Sequence, residues 1–177
     1  MSFVESKTEQ LSRLIGRARD VVANLTREQL GQRPDPNTWS VIEVIAHMNR
    51  THEPYLHGLE SLATRLPEGS TEGKLTFIGR QIELGAGPHG NVPAIGSTIP
   101  PKELNVDSEL DRWNQVHDAL LEVFKACKGK KLEAAKMRNP LMRILRINGA
   151  DALAIVCSHS ERHVRQMEDR AKIVKQR

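Results

Sequence analysis

Aromatic residues are scarce in this chain: only Phe3, Trp39, Tyr55, Phe77, Trp113 and Phe124 occur among 177 residues. Its core must therefore be mostly aliphatic. Cysteine is rarer still, and Cys127 and Cys157 form neither a CxxC pair nor the dense framework of a small secreted domain, so reduced thiols are expected. No apolar run reaches the length of a membrane span. The opening residues "MSFVESKTEQ" lack both a basic start and an apolar stretch. These absences lead to the expectation of a soluble cytoplasmic protein without a membrane partner. Strong charge of one sign is also missing. The net charge is +4, with small basic clusters at Lys128 to Lys131 and Arg170 to Arg177. Both fall at expected helix ends or tails, where cations complement the helix dipole and stay solvated, so no nucleic-acid partner is needed to explain them.

What is present is helical periodicity in a length suited to one domain, expected over residues 1–177. Leu11, Leu14, Ile15, Ala18, Val21, Val22 and Leu25 repeat at three-and-four spacing, predicting a first amphipathic helix. It must end before "GQRPDPNT", after which Asn37 or Thr38 can cap a second helix from near Trp39 to about Leu66. From Pro67 to Asn105 the periodicity fails, and this stretch holds seven of the twelve glycines and five of the nine prolines. A connection over 67–106 far exceeds the usual two to eight residues between bundle helices. It reads as a crossover that leaves the second and third helices parallel, or as a functional lid. Within it, "KLTFIGRQIEL" is compatible with a short helix or strand.

Asp107 and Ser108 are candidate caps for a third helix, whose seam is Leu110, Trp113, His117, Leu120, Phe124 and Cys127. A last helix from near Ala150 carries Ala152, Val156, His159, His163, Gln166 and Arg170 in the same alternation. Four long helices and no convincing strand predict an all-α bundle.

Seven histidines at 47, 52, 57, 89, 117, 159 and 163 are the residues with chemistry to offer. Four helical residues advance the direction by 400°, so His159 and His163 project within about 40° of each other and can share one ion. The spacing alone is common on surface helices. Here, however, both lie in register with Ala152 and Val156 and should face the interior, where an unpaired polar group costs a few kcal/mol. The protease pattern H-E-x-x-H is excluded, because Glu161 falls about 200° from His159 and is expected to be solvated. Cys157 fails as a ligand for the same angular reason.

A third ligand must come from another helix, and His47 in "WSVIEVIAHMNR" is the best candidate, its alternative being a buried hydrogen-bonded histidine. His52 and His57 should point away from it, toward surface or loops, with Pro54 bending the helix between them. His89, in the glycine-rich connection, is expected to have no role, with a substrate contact as the alternative. His117 reads as a core or rim histidine, with a further ligand or a catalytic base as the alternative.

The run "LTREQLGQRPDPNTWSVIEVIAHM", with a tryptophan eight positions before a histidine, followed about 110 residues later by "HSERHVRQME", resembles the DinB/YfiT-like proteins. That resemblance implies an up-down-down-up four-helix bundle with a long crossover between helices 2 and 3, and frequently a homodimer. It further implies a divalent-metal site whose ligands map onto His47, His159 and His163. Trp39 and Gln166 match the same pattern, and no catalytic role is carried onto either. The crossover has no matching counterpart, so the resemblance leaves the substrate open.

Three neutral imidazoles on a divalent ion leave its full charge and at least one open position, the arrangement of catalytic rather than closed sites. Such an ion can lower the pKa of bound water to about 7 or activate a thiolate. Imidazole suits zinc or nickel, with iron or copper as further options. Glu43, Thr51 and Gln166 lie one helical turn from a ligand and are candidates for orienting it, although a surface or capping role is the favoured reading of Glu43. The expected function is a metal-dependent enzyme acting on a small molecule, either a hydrolase or a transferase using a low-molecular-weight thiol as cosubstrate. The alternative is a non-catalytic metal-binding or stress-associated interaction protein.

Overall fold

A computed structural model describes residues 1–176. Residue 177, the end of the basic tail, lies outside the described residues. Four long helices dominate: α1 (Phe3–Ala23), α3 (Val41–Ala63), α5 (Val106–Ala126) and α6 (Gly149–Val174). Two shorter ones, α2 (Arg27–Gly31) and α4 (Phe77–Ala86), lie in the connections.

Side-chain pairs between helices fix their directions. Asn49 meets Glu109 and His52 meets His117, so α3 and α5 run in the same sense. Cys157 reaches Lys7, whereas Arg17 reaches Glu161 and Glu168, so α1 and α6 are also parallel. Arg170 bonds Trp39 while His159 meets His52, which sets α6 antiparallel to α3. Arg19 with Asp118 and Glu5 with Lys128 make α1 antiparallel to α5. The result is the up-down-down-up bundle with its long crossover between α3 and α5.

Helix starts are set by side-chain caps, several of them one to three residues from the expected positions. Ser40, not Asn37 or Thr38, caps α3 and forms a reciprocal capping box with Glu43. Asn105 rather than Asp107 or Ser108 caps α5, and Asn148 caps α6. The α3 helix ends at Ala63 and runs unbroken through Pro54.

The expectation of no strand is corrected. Lys136–Arg138 (β1) and Arg146–Asn148 (β2) pair as an antiparallel hairpin around Pro140, and three-residue strands offer too little alternation to register as a period. Buried apolar residues form one contiguous aliphatic cluster that includes Leu14, Ile45, Leu59, Leu120, Leu153 and Met167. No helix among the described residues is long and apolar enough to cross a membrane.

The crossover is not a free loop. Its helix α4 starts at Thr76, whose backbone N–H and hydroxyl both donate to the buried carboxylate of Asp151 at 2.7 and 2.8 Å. Asp151 also accepts from the Asn148 backbone and so ties the start of α4 to the start of α6. Gly79 makes the close approach feasible, since a Cβ there would stand 2.0 Å from an Asp151 carboxylate oxygen. Farther along, Ser158 donates to Glu83 at 2.5 Å. The crossover therefore lies along α6 on the side that carries the histidines.

Candidate metal centre

His47 from α3 and His159 and His163 from α6 come together in the bundle interior. Nitrogens of all three lie within 4.8 Å of one another. The His159 Nε2 stands 3.3 Å from His47 Nε2 and 3.0 Å from His163 Nε2. All three residues are less than a tenth exposed.

Every outer nitrogen of the trio has a partner. His47 Nδ1 is 2.7 Å from the carbonyl oxygen of Thr98, and His163 Nδ1 is 2.8 Å from Gln166 Oε1. His159 Nδ1 is 2.9 Å from His52 Nε2. A carbonyl oxygen can only accept, so His47 and His163 carry their protons on Nδ1 and turn bare Nε2 lone pairs inward. Lone pairs crowded at 3.0 to 3.3 Å repel unless a proton or a metal ion lies between them. A tetrahedral ion with metal–nitrogen bonds of about 2.0–2.1 Å spaces its ligand nitrogens roughly 3.3 Å apart, so the residues present fit a metal of that size.

Burial sets the protonation states as metal binding requires. It pushes His47 below the ordinary imidazole range, with the nearby Arg162 and Arg50 charges adding to the effect. His159 and His163 are driven well below that range by burial first and then by the neighbouring histidines. Neutral imidazole is the form that ligates.

The trio opens onto a cavity of about 900 Å³. Its walls are mostly apolar: Phe77, Ile78 and Ile82 of α4, Ile95 and Ile99 farther along the crossover, and Leu141, Met142 and Leu145 of the hairpin loop. Arg162 and Arg170 lie on the α6 side. Burial lowers the Arg170 pKa from its ordinary value, and its Nε donates to the Trp39 carbonyl. The crossover and the hairpin thus supply most of the cavity, and the crossover also supplies the Thr98 carbonyl behind His47.

The other candidate residues separate clearly once placed. His57 and His89 are exposed, and neither lines the cavity. His52, expected at the surface, is fully buried, because α3 packs against both α5 and α6 and a direction about 140° from His47 still points into the bundle. His117 is a buried core histidine, bonded to His52 and to the Trp113 carbonyl.

Glu161 is not a freely solvated residue but pairs with Arg17 of α1 and Arg165, its side chain 14% exposed. Cys157 points to α1, where burial pushes its thiol up to about 12. Of the candidates for orienting a ligand, Gln166 does so, whereas Glu43 serves its capping box and an ion pair with Arg33. Thr51 donates its hydroxyl to the His47 carbonyl and lines the cavity. Thr98 had no sequence signal, since its contribution is a backbone oxygen.

A four-helix bundle with a histidine trio drawn from its second and last long helices defines a class, and the sequence agrees with it. The profile of the DinB superfamily matches residues 10–167, and the chain belongs to that superfamily. Among solved structures it is similar to YfiT from Bacillus subtilis, described as a "probable metal-dependent hydrolase with an unusual four-helix bundle topology". The TM-score is 0.61 at 13% identity, with 96% of this chain and 86% of YfiT covered, a likeness of fold. No curated protein matches the chain in sequence.

Proposed function

We propose that the protein is a metal-dependent enzyme that acts on a largely apolar small molecule, with His47, His159 and His163 as the metal ligands. The observation that carries this reading is the convergence of three inward-turned imidazole nitrogens at the floor of a cavity of about 900 Å³. A metal held only for stability needs no such cavity, and the volume falls in the range of small-molecule sites, roughly 300–1,000 Å³. When bound, zinc, nickel or a similar ion would supply Lewis acidity beside the cavity.

The chain's own residues do the rest. Thr98 and Gln166 hold two of the ligand rings by their Nδ1 protons. The side chains of α4 and the hairpin loop give an apolar substrate surface to bury and exclude water around the centre. Arg162 and Arg170 place positive charge beside the site, suited to a substrate carrying or developing negative charge.

Hydrolysis is the first reading, in keeping with the activity ascribed to YfiT. Transfer of a low-molecular-weight thiol is the second, favoured by a cavity near the upper end of the single-ligand range, with room for a cosubstrate. The test is a panel of ester, amide and thiol-conjugation substrates offered to metal-loaded and metal-stripped protein. Turnover that appears only with metal, and only with or only without added thiol, supports the enzyme reading and decides between the two. Turnover equal in stripped protein contradicts it.

A further inference from the structure

Three imidazoles run in file behind the candidate metal centre. His159 Nδ1 meets His52 Nε2 at 2.9 Å, His52 Nδ1 meets His117 Nε2 at 2.9 Å, and His117 Nδ1 meets the Trp113 carbonyl oxygen at 2.8 Å. His52 and His117 are fully buried, and Trp113 stacks on His117 with ring centroids 4.3 Å apart.

The direction of this file is dictated from its far end. A carbonyl only accepts, so His117 must carry its proton on Nδ1, which leaves its Nε2 as an acceptor. That acceptor requires the His52 proton on Nδ1, and the acceptor left on His52 Nε2 requires the His159 proton on Nδ1. One proton per ring and one per contact closes the count. The nitrogen left bare is His159 Nε2, which faces His47 and His163. Reversing His52 or His117 would set two N–H groups face to face at one contact, and reversing His159 would set its bare Nδ1 against the bare Nε2 of His52.

We propose that His52 and His117 are positioning residues of the metal centre, forming a relay anchored on the Trp113 carbonyl that fixes His159 as its Nδ1–H tautomer. The relay reserves the His159 Nε2 lone pair for the ion. Its use rests on the three-histidine reading above, but its existence does not, because the proton order belongs equally to the metal-free protein.

Imidazole nitrogen-15 shifts of the metal-free protein test it without any substitution. His52, His117 and His159 are expected to show a protonated Nδ1 and a bare Nε2, and an Nε2–H form on His52 or His117 overturns the relay. This readout decides the relay even if the wild-type protein binds no zinc, an outcome that would sink the metal reading alone.

Zinc affinity by chelator competition then reads its effect. His52→Leu should weaken binding about 10–100-fold, and His52→Gln, whose amide oxygen can replace Nε2 as acceptor, should recover most of that loss. His117→Leu touches no ligand, yet should weaken binding on the order of tenfold by freeing His52 to present Nε2–H to His159. The same change made in the His52→Gln background should have no further effect. An equal loss in both backgrounds would show a merely structural role and overturn the proposal.

Discussion

The two sides of α6 handle their polar residues in opposite ways. Toward α1, Glu161 and Glu168 meet Arg17, and Glu161 also meets Arg165, so unlike charges satisfy one another across the contact. Toward α3, His159 and His163 meet His47, which is like against like, with lone pairs inward and protons outward. The first side is complete as folded. The second leaves inward lone pairs that a bound cation would satisfy, and that difference separates packing from a candidate site on one helix.

The largest expected effect of breaking this contrast is on the histidine side. His159→Ala should abolish stoichiometric metal binding, with affinity falling more than about 100-fold because both a ligand and the end of the relay are lost. Arg17→Ala on the other side should leave metal content unchanged. Metal analysis of the two purified variants checks both.

Acid should separate the two sides next. Burial depresses His117 to about 4 from an ordinary 6.5, and the other buried histidines move the same way. Unfolded histidines take up protons that the folded ones refuse, so stability is full above pH 6.5 and falls as pH drops toward the folded values. His117 alone should account for on the order of 3 kcal/mol across that window. Although burial opposes it, Arg165 and Arg17 hold Glu161 below its ordinary 4.5. Its contribution is therefore present above 4.5 and is lost only as pH falls further. Denaturant titrations of the metal-free protein should show stability declining from about pH 6.5, and His117→Leu should flatten the decline.

Gly79→Ala should cost about 1–3 kcal/mol by driving α4 off Asp151, measurable by chemical denaturation. Because the same helix lines the cavity, substrate binding should weaken while metal content holds. The smallest effect belongs to the paired side: Arg17→Ala should destabilise by no more than about 1 kcal/mol, since partly exposed ion pairs are weak.

Each feature of the fold and site leaves a different kind of signal in the sequence. The bundle and the inward seam of His159 and His163 were readable because long helices repeat their period many times. His47 needed only the same logic on α3, and the resemblance joined the three into a ligand set. His52 is buried rather than at the surface because an angle measured from His47 does not reveal how many neighbours a helix has, and α3 has interior on two sides. Thr98 was invisible, as a backbone carbonyl is common to every residue type. The cap at Ser40 was displaced from Asn37 and Thr38 by the reciprocal bond with Glu43, a pair detectable as S-x-x-E.

His47, His159 and His163 should hold a divalent ion between them. Metal content of the purified protein and of His47→Ala, measured by elemental analysis alongside a folding check, tests it most directly. About one divalent ion per chain is expected in the wild-type protein and little or none in the folded variant. Stoichiometric metal surviving the substitution unchanged, or none retained by wild-type protein after loading with zinc or nickel, would contradict it.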